Sequence, residues 1–254
     1  MDSTGCTPEP TVGDAFGAML LDYLTYAPDY VPCGVIERDD GSVSVEPSAK
    51  YFQDEDEWDS IYHDVVPWLV GVVIDLGCGA GRHALPLQRR GHRVIGIDSS
   101  PGAVKVSRSR GLLEVHEASV QDAVLGEIIP HGVLTYLLLG NGLGLLSDKD
   151  SAGKTLHRLA ELAPPGSHLV GESLLTEAAE REAYDAAYAD ANERAGRWRG
   201  EQRARFRYGP LATRWFSFLF LPPEGLDAIA TDSGWTMQTV TKTGPRYLAV
   251  LVRN

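Results

Sequence analysis

Cysteine is scarce in this chain. Its 254 residues include only three cysteines, Cys6, Cys33 and Cys78, and no C-x-x-C pair. An odd number of cysteines without metal-ligand spacing argues against a disulfide framework and against a zinc site. We therefore expect neither disulfide bonds nor a metal ion to be part of the fold.

Positive charge is also in short supply. Lys and Arg total 23 against 35 Asp and Glu, which gives a formal net charge of −12. A negative surface repels the phosphate backbone of nucleic acids, so we expect no nucleic-acid partner. The run from Arg197 to Arg207 is the one candidate for a local basic patch.

Long apolar runs are absent from the sequence. No stretch approaches the ~20 apolar residues of a membrane-spanning helix. The opening residues, MDSTGCTPEP, have neither the basic flank nor the apolar run of a signal peptide. We therefore expect a cytoplasmic protein with no membrane partner. The motifs H-E-x-x-H and G-x-S-x-G are absent as well, which argues against metalloprotease and α/β-hydrolase chemistry.

The most informative stretch that is present covers residues 72–99. It opens with the apolar run Val72–Leu76, interrupted only by Asp75, which suits a strand buried on both faces of a parallel sheet. Three glycines follow at alternate positions, Gly77, Gly79 and Gly81. Glycine lets the backbone turn tightly and approach a ligand closely. A helix and a second strand follow, and Asp98 stands at the end of that strand, where a carboxylate can accept hydrogen bonds from a ribose diol.

These residues closely resemble the cofactor motif of class I S-adenosylmethionine-dependent methyltransferases. The glycine spacing is G-x-G-x-G, whereas the dinucleotide fingerprint is G-x-G-x-x-G, which disfavours NAD as the cofactor. The resemblance implies that the glycine loop lies against the methionine part of S-adenosyl-L-methionine and that Asp98 holds the ribose hydroxyls. The residues that we expect to contact the cofactor are Tyr51, Asp75, Gly77, Gly79, Gly81, Arg82, Asp98, Ser99, Val120, Gln121, Asp122 and Gly140.

The same resemblance implies the fold. We expect an α/β protein with a doubly wound seven-stranded sheet in the order 3-2-1-4-5-7-6, in which strand 7 is antiparallel. Apolar runs predict the strands at residues 72–76, 93–97, 112–116, 132–139, 167–172, 235–240 and 246–252. Helical spacing predicts helices at residues 82–90, 102–110, 150–162 and 223–233.

Two segments are expected to surround this sheet. Residues 1–69 form an N-terminal extension that acts as a helical lid, with helices predicted at 13–26 and 58–69 and disorder at 1–12. The methyltransferase domain, residues 70–254, carries an insertion at about 176–221. The insertion begins with an Ala-, Glu- and Arg-rich helix, in which Glu177–Arg181 and Arg181–Asp185 are spaced for i,i+4 pairing. It ends in a β-hairpin.

The hairpin is rich in arginine. Residues 197–208 alternate charged and apolar side chains toward their end, and residues 213–221 form the partner strand. The arginines either bind an anionic or carboxylate-bearing acceptor or simply solvate an exposed strand.

Other site residues have more than one interpretation. Tyr51 either covers the cofactor or packs the extension on the domain, and Asp122 or Gln121 binds the adenine unless Asp122 caps a helix. Asn141, after the fourth strand, either orients the nucleophile or adopts a left-handed turn. Glu172, at the end of the fifth, is a general base, a clamp for a cationic substrate or a helix cap.

A methyl acceptor with a neutral hydroxyl or an ammonium group needs a base. His63 is our first candidate, and a surface histidine is the alternative. We expect transfer to an oxygen or nitrogen of a small molecule, with secondary metabolism as one setting. Transfer to a peptide or protein and non-catalytic cofactor binding are the alternatives. The N/D-P-P-Y motif of amide-methylating relatives is absent. The sequence predicts no oligomeric state.

Overall fold

The structure is a computed structural model that describes residues 9–125, 128–175 and 183–254. The strands in chain order are β1 (Thr11–Val12), β2 (Cys33–Arg38), β3 (Val43–Pro47), β4 (Val73–Leu76), β5 (Val94–Asp98), β6 (Glu114–Glu117), β7 (Thr135–Leu138), β8 (His168–Leu174), β9 (Glu201–Tyr208), β10 (Leu211–Ala212), β11 (Phe216–Leu219), β12 (Trp235–Thr243) and β13 (Arg246–Arg253). The α-helices are α1 (Ala15–Tyr26), α2 (Ala84–Arg89), α3 (Pro101–Ser109), α4 (Val120–Leu125), α5 (Lys149–Leu162), α6 (Ala183–Arg194) and α7 (Pro223–Asp232). Short 3-10 helices lie at Ser48–Tyr51, Glu55–Glu57, Ser60–Trp68 and Gly142–Leu146.

The main sheet has seven strands in the order β12-β13-β8-β7-β4-β5-β6. Strand β13 runs antiparallel to both β8 and β12, and the other neighbours are parallel. Numbered along the chain, this order is 3-2-1-4-5-7-6 with an antiparallel strand 7, so the predicted α/β fold is confirmed.

Apolar side chains cover both faces of this sheet. Ile74 and Leu76 of β4 lie in a cluster with α4, α5 and α7, whereas Val73 lies in a cluster with α2, α3 and the 3-10 helix Ser60–Trp68. Because successive residues of a strand point to opposite faces, a run that is apolar except for Asp75 contributes side chains to both clusters. The site loops therefore start from strands fixed on two sides.

A second sheet joins the two segments that surround the main sheet. Strand β2 of the extension pairs with β9 of the insertion on one side and with β3 on the other, in the order β1-β10-β9-β2-β3, and β11 also pairs with β9. Helix α1 packs between this sheet and α3, with Phe206 on one side and Val106 on the other. The extension and the insertion thus share one set of backbone hydrogen bonds.

Three predictions for these segments need comment. The helix predicted at 58–69 is a 3-10 helix, Ser60–Trp68, with Pro67 inside it. Disorder was wrong for Thr11–Val12, which pair with β10, and residues 1–8 lie outside the described residues. The predicted helix that begins the insertion is described only from residue 183 onward, so the pairs of Arg181 with Glu177 and Asp185 lie outside the described residues.

Of the described helices, none has the length and apolar character needed to cross a bilayer.

Helix α1 is held on α3 by one carboxylate and one pair of glycines. Asp14 caps α1 by accepting from the Gly17 amide, and it also accepts from the Ser100 hydroxyl and the Gly102 amide at the start of α3. A Cβ built on Gly17 would lie 2.6 Å from the Gly102 Cα atom. The two helices therefore touch backbone to backbone.

Gly17→Ala is expected to destabilise the protein, because the added methyl group meets main-chain atoms that cannot move independently. Overpacking of this kind costs about 1–3 kcal/mol. Gly153→Ala in α5 is the matched control, since its Cβ would make an ordinary 3.7 Å contact with Ile229. We expect this control to gain up to about 1 kcal/mol from helix propensity. Urea unfolding measures both changes, and equal effects in the two variants would contradict the close packing.

Candidate functional site

The glycine loop between β4 and α2 forms the floor of the site. Its three glycines have positive φ angles of 78°, 54° and 81° at Gly77, Gly79 and Gly81. The Gly77 amide donates to the carbonyl of Ile97 at 2.7 Å, which ties the loop to β5. Side chains with a Cβ rarely adopt such angles, so the backbone path of this loop depends on glycine.

Asp98 at the end of β5 is fastened to the glycine loop. Its Oδ2 atom accepts from the Gly79 amide at 2.8 Å, and its Oδ1 atom accepts from the Ser100 amide at 2.9 Å. Burial raises the pKa of this carboxyl to about 6, although both amide bonds act in the opposite direction. Ser99, between Asp98 and the start of α3, is exposed. The structure thus brings together the glycines and the strand-end acid that the sequence singled out.

Asp75 lies beneath the same loop. Burial, followed by the charge of Asp98, raises the pKa of Asp75 to about 7, against a hydrogen bond from the Ala84 amide. Its Oδ2 atom is buried and accepts no hydrogen bond from the described residues. Asp75 therefore supports the start of α2 and keeps one free acceptor.

The extension covers the loop from above. The Tyr51 ring packs edge-on against Phe16 with centroids 5.0 Å apart, and both rings lie within about 4 Å of the place where a Cβ on Gly79 would be. The Tyr51 hydroxyl donates to Glu46. Burial and the neighbouring carboxylate raise the Tyr51 pKa well above its usual range. The cover over the glycine loop is thus aromatic.

The loop after β6 lies at the outer edge of the site. Val120 is buried, and the Gln121 amide donates to the carbonyl of Leu145 at 2.8 Å. Asp122 is exposed, and its backbone amide donates to the Ser119 hydroxyl at 3.0 Å. The helix-cap role considered for Asp122 was therefore wrong, since Ser119 caps α4 and the Asp122 carboxylate accepts from it.

Glu172 connects the ends of β7, β8 and β13 with the extension. Its side chain is 0% exposed. The Oε2 atom accepts from the Tyr62 hydroxyl at 2.8 Å and from the amides of Gly140 and Asn141 at 2.6 and 3.1 Å. The Oε1 atom accepts from Arg246 at 2.8 Å. Four donors fix this carboxylate, an arrangement suited to holding the strand-end loop in place.

Asn141 takes the left-handed conformation that was one of its two interpretations. Its φ angle is 64° and its ψ angle 23°. The side-chain Oδ1 atom is buried and has no hydrogen-bond partner among the described residues. The preceding Gly140 also has a positive φ, 66°. Asn141 thus presents an unused acceptor next to the glycine loop.

His63 lies apart from this group. Its side chain is exposed, and its ring contacts Trp58 with centroids 6.3 Å apart. The adjacent Tyr62 is the side chain that turns inward from the same 3-10 helix, to Glu172. The structure therefore does not place His63 beside Asn141 or Glu172.

Sequence reasoning singled out Arg82 but missed His83 and its ring neighbours Trp58 and Tyr62. His83 follows the glycine loop, is 7% exposed and lies 4.8 Å from the Tyr62 ring and 5.3 Å from the Trp58 ring. The Arg82 guanidinium lies 4.9 Å from the Tyr62 ring centroid. The one available signal was the position of His83 two residues after Gly81.

Three arginines of the insertion pair with carboxylates of the chain itself. Arg205 forms a bidentate pair with Glu37, which also pairs with Arg207 at 3.1 Å. Arg199 pairs with Asp190 and Glu193. This geometry agrees with a charged strand whose arginines bind neighbouring side chains of the same protein.

A cavity of about 1030 Å³ lies elsewhere, between the start of α5, residues 198–200 and α7. Its lining includes Trp198, Lys149 and Ile229 and does not include the glycine loop. Among the described residues, no cluster of three or more His, Cys, Asp or Glu side chains is arranged to hold a metal ion.

Comparisons with known proteins agree with this geometry. Residues 73–166 match the family model described as a methyltransferase domain. A ubiquinone biosynthesis O-methyltransferase from Alkalilimnicola ehrlichii is 28% identical over 102 residues, which is 40% of this chain and 41% of that protein's length. The match therefore spans less than half of that relative.

Solved structures share the whole architecture. A S-adenosylmethionine-dependent methyltransferase from Bacteroides fragilis, in complex with S-adenosyl-L-homocysteine, superposes with a TM-score of 0.77 and 24% identity over 94% of each chain. The CcbJ methyltransferase from Streptomyces caelestis gives a TM-score of 0.56 and 18% identity, over 78% of this chain and 94% of the other. At these identities the likeness establishes the fold.

Proposed function

We propose that this chain is a class I S-adenosylmethionine-dependent methyltransferase, because residues 73–166 match the model of a methyltransferase domain. In this proposal it transfers a methyl group from S-adenosyl-L-methionine to an oxygen of a small molecule, with nitrogen as the alternative atom. The observation that carries the proposal is the fastening of Asp98 to Gly79. It places a buried carboxylate directly over a glycine loop that no Cβ obstructs.

The residues present fit the adenosine part of this cofactor. Each oxygen of Asp98 accepts a single amide bond, and a carboxylate oxygen can accept two. Two ribose hydroxyls can therefore bind Asp98 without displacing the loop. In the proposal, Ser99 lies beside the ribose, Val120 and Gln121 with Asp122 border the adenine, and Tyr51 covers the glycines.

The methionine part needs a cation for its carboxylate, and Arg82 fits. No carboxylate of the described residues pairs with its guanidinium, and its Nε atom is buried without a hydrogen-bond partner. A half-buried guanidinium whose Nε–H has no partner is costly, and a carboxylate ligand removes that cost. We therefore assign the carboxylate of the cofactor to Arg82.

The chemistry requires the two reactants to be held at near-attack distance. The cofactor supplies a methyl group on a sulfonium, and the protein positions the acceptor. Glu172 holds Gly140 and Asn141 in their left-handed conformations, so the loop that borders the transferred methyl group is rigid. A small acceptor is proposed because residues of the extension, such as Phe16 and Tyr51, already cover the glycine loop. The relative named an O-methyltransferase favours oxygen as the atom.

Calorimetry with four ligands tests the cofactor. We expect micromolar binding of S-adenosylmethionine and S-adenosylhomocysteine, and no binding of NAD. 5′-Methylthioadenosine, which lacks the amino-acid group, should bind more weakly than S-adenosylhomocysteine. The variant Arg82→Gln should weaken the binding of S-adenosylhomocysteine without affecting the binding of 5′-methylthioadenosine. Binding of NAD alone would contradict the proposal. If Arg82→Gln lowered the affinities for S-adenosylhomocysteine and 5′-methylthioadenosine equally, the assignment of the cofactor carboxylate to Arg82 would be refuted.

Cofactor affinity is expected to depend on pH through Asp98. Its pKa in the ligand-free protein is raised to about 6, and the ribose hydroxyls favour the ionised carboxylate that accepts from them. Binding therefore releases a proton below this pKa, and affinity falls as the pH falls. Between pH 7 and pH 5 we expect S-adenosylhomocysteine affinity to drop by about tenfold. Titrations in buffers of different ionisation enthalpy measure the proton release, and Asp98→Asn should abolish this contribution.

A further inference from the structure

Three polar atoms near the strand-end loop are buried and have no partner among the described residues. They are Nε1 of Trp58, Nε2 of His83 and Oδ1 of Asn141. A buried polar group that makes no hydrogen bond destabilises the folded protein. Three such atoms in one region indicate a place where a bound molecule supplies the missing partners.

The rings and the loop make this region a single site. His83 packs against both Trp58 and Tyr62. Its Cε1 atom lies 3.9 Å from the place where a Cβ on Gly140 would be, and Asn141 is the next residue. The imidazole therefore lies between the rings of Trp58 and Tyr62 on one side and, on the other, the loop that borders the methyl group in the proposed function.

We propose that Nε2 of His83 accepts a hydrogen bond, and then the proton, from the hydroxyl group of an aromatic acceptor that lies beside Trp58. The proposal rests on the proposed function, because the methyl group comes from S-adenosylmethionine. It assigns the base to His83, where the sequence suggested His63, and it selects a phenol-like acceptor.

The charge state of His83 suits this role. Burial, followed by the charge of Arg82, lowers the pKa of His83 to about 3, so the ring is neutral at pH 7. Among the described residues, the further titratable groups in contact with these rings include His63 beside Trp58, and Glu172 and Arg246 bonded to Tyr62. In the tautomer with its proton on Nδ1, Nε2 is an acceptor.

The proton balance favours a hydroxyl acceptor. The phenol oxygen forms the new O–CH₃ bond as the S–CH₃ bond breaks, and the electron pair of that bond returns to sulfur. The phenol proton passes to Nε2 and then to solvent, leaving a methyl ether and S-adenosylhomocysteine. A protonated ether is a far stronger acid than imidazolium, so even a weakly basic histidine takes its proton. An alkylammonium, with a pKa near 10.4 for lysine, has no free electron pair on nitrogen until it loses its proton, and so weak a base does not remove that proton before the attack.

Binding of phenol to the S-adenosylhomocysteine complex tests the contact without turnover. We expect His83→Phe to weaken phenol binding by about tenfold, as loss of one hydrogen bond implies. Binding of toluene and of S-adenosylhomocysteine should not change. His157→Phe, an exposed histidine of α5, is the matched control. His83→Gln should keep phenol affinity, because its amide oxygen can accept the same hydrogen bond.

Turnover with phenol and radiolabelled S-adenosylmethionine then tests the proton transfer. Both His83 variants should lose about 100-fold in rate at pH 7, the lower end of general-base effects. They should regain rate toward the phenol pKa near 10, where the acceptor ionises unaided. Phenol affinity unchanged in His83→Phe, or a wild type that binds S-adenosylhomocysteine but not phenol, would overturn the proposal. A wild type that binds no S-adenosylhomocysteine would overturn the proposed function itself.

Discussion

Asp98→Ala is expected to weaken S-adenosylhomocysteine binding by about 2–4 kcal/mol, which is roughly 30- to 1000-fold in the dissociation constant. The loss has two sources. The ribose hydroxyls lose a charged acceptor, and the Gly79 amide loses the bond that holds the glycine loop in its bound shape. Calorimetry of the wild type and the variant measures the change directly.

Two further variants separate these sources. Asp98→Asn keeps one neutral acceptor at the same place, so its loss should be smaller than that of Asp98→Ala. Glu117→Ala removes an exposed acid at the end of β6, in register with Asp98, and should leave affinity unchanged. Wild-type affinity in Asp98→Ala would show that this carboxylate does not hold the ribose.

Glu172→Ala is expected to destabilise the protein by about 3–5 kcal/mol, the range for breaking a buried ion pair. The substitution leaves Arg246 half-buried without its carboxylate, and it removes the acceptor of Tyr62 and of two loop amides. Urea unfolding followed by circular dichroism measures the free energy of unfolding.

Arg246→Met combined with Glu172→Gln is the matched test. Replacing both partners removes the unpaired charge, so the double variant should be more stable than Glu172→Ala. Cofactor binding should also weaken in Glu172→Ala, because Gly140 and Asn141 lose their anchor. A stability loss below about 1 kcal/mol would fit an exposed salt bridge and would contradict the buried network.

The main sheet could be predicted from the sequence because its signals are local. The apolar runs at β4 and β7 and the capping Ser100 each lie within a few residues of the element they specify. The glycine loop and Asp98 were predictable for the same reason, since one strand–helix–strand unit contains them all and Asp98 follows Gly77 by only 21 residues.

The second sheet could not be predicted, because its pairings join distant segments. Val35 of β2 lies opposite Arg207 of β9, and no local pattern records such a partner. The role of Glu172 was hidden for a similar reason. A fully buried carboxylate is rare unless it is paired, and its partner Arg246 lies 74 residues further along the chain.

His63 was chosen as a base without knowing which face of its helix would point into the protein. The segment is a 3-10 helix with about three residues per turn, so Ile61, Tyr62 and Val65 face inward while His63 faces out. His83 was overlooked because its neighbours Trp58 and Tyr62 come from the extension, which carried no motif.

The sharing of one sheet by the extension and the insertion has a consequence for protein engineering. Strands β2 and β9 supply each other's backbone hydrogen bonds, and Glu37 of one neutralises Arg205 of the other. A relative's insertion grafted alone onto this chain would meet a strand with the wrong register and charge. Chimeras that aim to change the acceptor should therefore exchange residues 33–47 and 201–219 together, because these two segments form one sheet although they are far apart in the sequence.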